Sequence, residues 1–263
     1  MVEEATSAAV VDAFRSAPAN AAVITDFDGT LAPIVDDPAA AVALPGTVDA
    51  LHQLAERYGR VAVVSGRPVQ FLRDRLELDQ RPPSTLVISG LYGLERVDGR
   101  GHSVHPDALE WQPAVEEAAR RAQEAAPAGV GVERKGLSVT LHVRNAPQLA
   151  GWARSWAEAS AAVSGLAVHA GRMSWELRPP VAVDKGTVVA DLTADSRAAC
   201  FLGDDIGDLS AFDALDRMAA RSGTVVVRVG VRSPEAPPEL IERADVLVAG
   251  PSGSLAFLRR LLE

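Results

Sequence analysis

The sequence predicts an α/β protein, with a parallel sheet covered on both faces and an inserted α+β segment. Three observations predict it. Short, continuously apolar runs alternate with helical patterns over most of the chain, as strands buried on both faces do. Several of those runs end in Asp, Ser or Gly, at the strand edge where open α/β sheets hold their ligands. From residue 109 to 179 the rhythm changes to helix–hairpin–helix–hairpin, the pattern of an antiparallel sheet with two helices.

Taken in order, the Ala-rich, acidic residues 1–20 are expected to form a leading helix. Ala21 to Asp26 is an apolar strand ending in a carboxylate, followed by a Gly-containing loop. Gly46 to Tyr58 reads as a helix because Val48, Leu51 and Leu54 share one face. Arg60 to Val64 is a second strand, running into Ser65-Gly66-Arg67-Pro68, and Leu86 to Ile88 a third, ending at Ser89-Gly90. In the inserted segment, Trp111–Ala126 and Gln148–Val163 are helical in pattern. Val130–Lys135 and Leu137–Arg144 pair around Gly136, and Leu166–Ala170 and Arg172–Arg178 around Gly171. Leu137, Val139, Leu141 and Val143 alternate with Ser138, Thr140, His142 and Arg144, so this strand has one face for its helices and one for water or a ligand. Met173, Trp175 and Leu177 alternate with Ser174, Glu176 and Arg178 in the same way. Ala198–Leu202, Thr224–Val229 and Asp245–Val248 complete the parallel set.

Composition bounds the function. The chain has 263 residues, 48% hydrophobic and 23% charged, which suits a folded domain with an insert and excludes a disordered chain. A net charge of −9 disfavours nucleic acid and anionic membrane as partners. A small phosphorylated substrate needs only a few local cations and stays open. The one cysteine, Cys200, rules out an intrachain disulfide and a cysteine metal cluster, and its apolar surroundings read as core. Met1-Val2-Glu3-Glu4 lacks the basic-then-apolar pattern of a secretory leader, and no apolar run reaches the ~18 residues of a membrane span. A cytoplasmic location is expected.

The chemistry-bearing residues gather at the strand ends. Asp26-Phe27-Asp28-Gly29 follows a buried strand. Two carboxylates spaced in this way can enter one site, one to attack phosphorus and the other to move the proton of the leaving oxygen. Alone, the same turn also fits a simple Asx turn. Ser65 can donate to a phosphoryl oxygen or cap the helix at Pro68, a role for which Gly66 and Arg67 are better placed. Lys185, in Asp184-Lys185-Gly186, can neutralise a pentavalent phosphoryl group. Asp204, in Gly203-Asp204-Asp205-Ile206-Gly207-Asp208, can join Asp26 and the Asp28 carbonyl as a sparse oxygen set that suits Mg²⁺. Asp205 and Asp208 can support that set from behind.

The order Asp-x-Asp, Ser, Lys, Gly-Asp-Asp resembles the haloacid dehalogenase superfamily of phosphotransferases. Glu133 to Arg144, Gly171 to Pro179 and Ser89 to Glu95 are similar to segments of its trehalose-phosphatase family, over about residues 20 to 260. The resemblance implies a Rossmann-like haloacid dehalogenase core, residues 1–108 and 180–263, with an inserted specificity cap, residues 109–179. It implies that Asp26 is the nucleophile, Asp28 the general acid and base, and Ser65 and Lys185 phosphate ligands. Asp26, Asp28 and Asp204 are then the Mg²⁺ ligands. Substrate contacts are expected from Phe27, Asp28, Arg67, Glu133, Lys135, His142 and Glu176, some of which can equally form salt bridges within the cap. The implied reaction is Mg²⁺-dependent hydrolysis of a sugar phosphate, trehalose 6-phosphate by family. A sucrose-, mannosyl-glycerate- or glucosyl-glycerate-phosphate phosphatase and a non-catalytic sugar-phosphate sensor are the alternatives. A monomer is expected, with a trehalose-6-phosphate synthase left open as a partner. Two departures stand out: Tyr92 where the family usually has His, and Gly207 and Leu209 where it has Thr and Glu.

Overall fold

The computed structural model describes residues 11–35, 37–80, 85–171, 173–221, 223–233 and 236–263. The first half of the expected leading helix and Arg172 of the last expected cap strand lie outside the described residues. Residues 11–16 are helical (α1). Then follow β1 (Ala21–Thr25), α2 (Thr47–Arg57), β2 (Arg60–Val64), α3 (Val69–Arg75), β3 (Leu86–Gly90), β4 (Glu95–Asp98) and β5 (Gly101–Val104). Next come α4 (Pro106–Leu109), α5 (Gln112–Ala125), β6 (Gly131–Arg134), β7 (Val139–His142), α6 (Ala150–Ser164), β8 (Ala167–Gly171) and β9 (Ser174–Arg178). The chain then runs through α7 (Lys185–Leu192), β10 (Ala198–Gly203), α8 (Leu209–Ala219), β11 (Val225–Arg232), α9 (Pro238–Arg243), β12 (Val246–Ala249) and α10 (Gly250–Leu262). The described residues up to Ser103, with Val183–Glu263, form one compact unit, and Val104–Ala182 a second.

In the first unit eight strands take the order β12-β11-β10-β1-β2-β3-β4-β5. From β12 through β3 every pairing is parallel, and β4 runs antiparallel to β3. The strands send alternate residues to opposite faces, which is why their sequences are continuously apolar. Val23, Val61, Ile88, Cys200 and Val229 join the core under α1, α2, α3 and α10. Ile24, Ala62, Val87 and Phe201 join the one under α7, α8 and α9. Strands β4 and β5 carry no apolar run and escape the sequence reading. An edge strand needs little burial, and of β4 only Val97 packs on the core. The chain leaves β1 towards β2 on one side and returns to it through β10 on the other. That switch point is where the carboxyl ends of the strands open a crevice.

The second unit holds a four-stranded antiparallel sheet, β6-β7-β9-β8. Val139 and Leu177 pack with Val115 and Ala118 of α5, and Leu141 and Val143 pack with Ala153 and Ala157 of α6. The β6–β7 turn uses Gly136 at φ 79°, a left-handed backbone that glycine adopts without steric cost. No helix among the described residues is long and apolar enough to cross a membrane.

Candidate active site

Asp26 follows β1, and its N–H donates to Leu202 O of β10 at 2.8 Å. This ties the first carboxylate to the switch point. The loop after it closes on itself, with Leu31 N and Ala32 N both donating to Phe27 O at 2.8 and 2.9 Å. Phe27 is fully buried and meets Phe71 edge-on at 5.9 Å. A ring with no exposed surface belongs to the core, so a substrate contact expected at Phe27 falls to the backbone.

The geometry around Asp26 is an ion cluster. Lys185 Nζ lies 2.9 Å from Asp26 Oδ1, 2.6 Å from Asp208 Oδ1 and 4.0 Å from Asp205 Oδ1. Lys185 opens α7, whose start is set by a capping box between Asp184 and Thr187. Asp208 is fully buried, and its Oδ2 accepts from Asp204 N and Asp205 N at 2.9 and 3.0 Å. It thus shapes the turn that presents Asp204. Asp204 is buried beside Gly29, where a Cβ would stand 2.1 Å from its Oδ2. At this position, with φ 74°, glycine is required on both counts.

Burial sets the electrostatics. It is the largest cause that raises Asp26 well above the ordinary carboxylate range; Lys185 opposes it, while Asp208, Asp205 and Asp204 add to the rise. Burial likewise lifts Asp204 to about 7 and Asp208 to about 6, again against Lys185. Burial alone pulls Lys185 down, but Asp208 and Asp26 more than reverse it. One buried ammonium thus faces more buried carboxylate charge than it can balance, a deficit that a divalent cation would make good. Oxygens of Asp26, Asp204 and Asp208 lie within 4.8 Å of one another. Asp208 accepts three bonds, from Lys185 and two backbone amides, with both lone pairs of Oδ2 engaged, whereas Asp204 accepts one bond on each oxygen. Asp26 and Asp204 are therefore the carboxylates best able to hold a metal. That sparse all-oxygen set suits Mg²⁺.

The other core residues sit at the neighbouring strand ends. Ser65 is buried after β2, and its Oγ accepts from Arg67 N at 3.2 Å. It does not cap α3, whose N-terminal cap is Pro68. The Arg67 guanidinium grips Asp28 with two parallel bonds of 2.7 and 2.8 Å and lies 4.7 Å above the Phe71 ring centre. Tyr92, after β3, has φ 59°, next to Leu91 at φ 49°. Its ring crowds Gly66, where a Cβ would come within 2.5 Å of the phenol oxygen. Two consecutive left-handed non-glycine residues are strained, and Tyr92 N donating to Ser65 O at 3.0 Å helps to hold them.

In the second unit, Glu133, Thr140, Glu176 and His169 stand opposite one another across the sheet. Glu176 Oε1 accepts from Ser138 Oγ at 2.6 Å and from Lys135 Nζ at 3.4 Å. His142 Nε2 meets Glu133 Oε2 at 2.7 Å. His169 Nδ1 accepts from Arg178 at 2.8 Å; burial, and then the Arg178 charge, push His169 below its usual value. Glu133, Lys135, His142 and Glu176 thus form a connected group on one sheet face. The sequence reading passed over His169 and placed Arg178 only on the polar face of its strand; their pairing depends on strand register across the hairpin. It passed over Ser233 and Thr30 as well, both of which bond to Asp204; Thr30 at least follows Asp28-Gly29 directly, whereas Ser233 carried no signal.

A profile of the trehalose-phosphatase family matches residues 24–237. The chain belongs to the trehalose-phosphatase family. Among curated relatives, the trehalose-phosphate phosphatase of Mycobacterium marinum is 38% identical over 205 residues, covering 74% of this chain and 51% of that protein. This member of the family spans about half the length of the curated trehalose-phosphate phosphatases it matches. A solved "trehalose-6-phosphate phosphatase related protein" shares the fold with a TM-score of 0.77 at 23% identity, over 92% of this chain and 97% of that one. A haloacid dehalogenase-like hydrolase from Bacteroides thetaiotaomicron does so with a TM-score of 0.61 at 16% identity, over 91% and 98%. At these identities the likeness is one of fold. Within the trehalose-phosphatase pattern, Leu209 has a plain physical account, since it packs against the core under α7 and α8. The other replacement, Gly207, still offers its carbonyl to Ser210 Oγ at 3.2 Å.

Proposed function

We propose that this chain hydrolyses trehalose 6-phosphate to trehalose and phosphate, with Mg²⁺, through a phosphorylated Asp26. The observation that carries the reading is the buried Asp26–Lys185–Asp208 cluster with Asp204 beside it. Burying so much charge is costly, and such clusters concentrate at functional sites; the family to which the chain belongs supports the reaction being phosphate removal. Bound Mg²⁺, held by Asp26 and Asp204 with the Asp28 carbonyl, would draw charge from the phosphoryl oxygens. Asp26 attacks phosphorus, and the oxygen of the sugar leaves with a proton from Asp28. Asp28 then takes a proton from the water that splits the acyl phosphate, returning Asp26 as a carboxylate and releasing phosphate. Arg67 aims the Asp28 carboxylate, and Lys185 and Ser65 stabilise the transferring group. The polar sheet face of the second unit, with Glu133, Lys135, His142 and Glu176, supplies both donors and acceptors for sugar hydroxyls.

The test is phosphate release from trehalose 6-phosphate, sucrose 6-phosphate, glucose 6-phosphate and a glucosyl-phosphoglycerate, with Mg²⁺ and with chelator. Trehalose 6-phosphate should turn over fastest, only with Mg²⁺. Asp26→Asn should remove at least about 10⁴-fold of kcat, as loss of a nucleophile does. Faster turnover of another sugar phosphate would sink the substrate while keeping the chemistry. Binding of trehalose 6-phosphate with no release would make the chain a sensor.

A further inference from the structure

Strand β11 ends at Arg232, and the next residue reaches across to the neighbouring strand end. Ser233 Oγ donates to Asp204 Oδ2 at 2.9 Å. The other oxygen, Oδ1, faces Thr30 Oγ1 at 3.4 Å. Behind both lies Gly29, with no room for a Cβ. Three loops, after β1, β10 and β11, therefore meet on one carboxylate. Both oxygens have a donor, so the plane of the group is set before any ligand arrives. A carboxylate oxygen that accepts one hydrogen bond keeps a second lone pair for a metal. Mg²⁺ demands near-ideal octahedral geometry at about 2.0–2.1 Å, so a ligand free to rotate would have to be ordered at the moment of binding. That cost falls on metal affinity.

Ser233 lies outside the four sequence motifs and does not enter the reaction proposed above. A purely structural reading is that it ties down its own loop. The two roles separate by what they change: a loop tie alters stability, whereas a donor to a ligand alters how tightly the metal is held.

We infer that Ser233 is a positioning residue for the divalent cation, its hydroxyl holding the Asp204 carboxylate in the orientation that Mg²⁺ requires. The inference rests on the metal-dependent reading given above. It is tested by calorimetric titration of Mg²⁺ into the full chain without substrate, for wild type, Ser233→Ala and Ser233→Thr, with metal-free melting curves alongside. The Mg²⁺ dissociation constant should rise about 10–100-fold in Ser233→Ala, the usual effect of losing a group that orients a metal ligand. Ser233→Thr, which keeps the hydroxyl, should restore most of that loss. If Ser233→Ala binds Mg²⁺ as tightly as wild type, the residue only ties its loop and the inference is overturned, whatever happens to the melting temperature. If the wild-type chain binds no Mg²⁺, the metal-dependent reading itself fails and takes this inference with it.

Discussion

At the strand ends of the first unit, the Asp26, Lys185 and Asp208 side chains are 5%, 3% and 0% exposed. On the sheet face of the second unit, Glu133 and His142 keep 28% and 29% of theirs, and Lys135 and Glu176 keep 9% and 8%. The first set cannot change partners without leaving buried charge unpaired, which is strongly destabilising. Glu133 and His142 can exchange their mutual hydrogen bond for those of a ligand at small net cost, while the buried Lys135 and Glu176 hold the group together. A phosphoryl group presents the same oxygens whatever carries it, so a rigid, dry cluster suits it. Sugars differ in where their hydroxyls point, and a face with partly exposed groups that both donate and accept suits that variety. On the function proposed above, the first unit serves the chemistry and the second the choice of sugar.

The largest way to break the comparison is at Lys185. Lys185→Met should cost about 10²–10³-fold in kcat. It should also destabilise the fold by about 3–5 kcal/mol, because Asp26 and Asp208 lose the cation they share. Steady-state kinetics and urea melts measure both. Activity within a few fold of wild type would show that the buried cluster is structural only.

A smaller effect should separate the two units. Glu176→Gln leaves Ser138 and Lys135 with a weaker acceptor. It should lower kcat/KM for trehalose 6-phosphate about 10–100-fold, the range for spoiling a charged hydrogen bond. For p-nitrophenyl phosphate, which has no sugar, the loss should be much smaller. Equal losses on both substrates would erase the division of labour.

How much of this was legible differs between the same two regions. The strand from Ala21 to Thr25 and the carboxylate after it could be read directly, because a strand buried on both faces has no exposed position to interrupt its apolar run. The buried cysteine was equally plain, and Cys200 has no exposed surface. Arg67 was legible as a site residue but not in its partner: the spacing says nothing of a fork closing on Asp28, 39 positions earlier. Ser233 gave no signal, since one serine in a proline-rich loop resembles any other. The cap residues were legible chiefly through resemblance, and their mutual bonds depend on strand register, which fixes neighbours only once the hairpins pair. Phe27 stands between Asp26 and Asp28 in the sequence, and spacing alone does not say that its ring joins Val23 in the core.

The subtlest prediction concerns the first unit without metal. Burial first of all lifts Asp204 to about 7 and Asp208 to about 6. Unfolded, both return to an ordinary value of about 3.9. Between about pH 4 and 7 the folded, metal-free chain therefore binds more protons than the unfolded one, and its stability falls as pH rises through that window. Mg²⁺ competes with those protons, so the stabilisation it brings should grow over the same range. Melting temperatures in chelator and in Mg²⁺, at about pH 5 and about pH 7.5, measure this difference. A gap that does not widen would mean that these carboxylates ionise normally without metal.

The capping box at Asp184 has a consequence for how such a chain can diversify. Residue 182 is the last of the second unit and Lys185 the first of α7. Between them the helix start is secured locally, by Thr187 N donating to Asp184 Oδ1 at 2.8 Å and Asp184 N donating to Thr187 Oγ1 at 2.9 Å. The lysine is therefore registered by its own helix, not by whatever is spliced in upstream. A foreign insert could be grafted between residues 103 and 183 as a cassette while Lys185 keeps its alignment with Asp26 and Asp208.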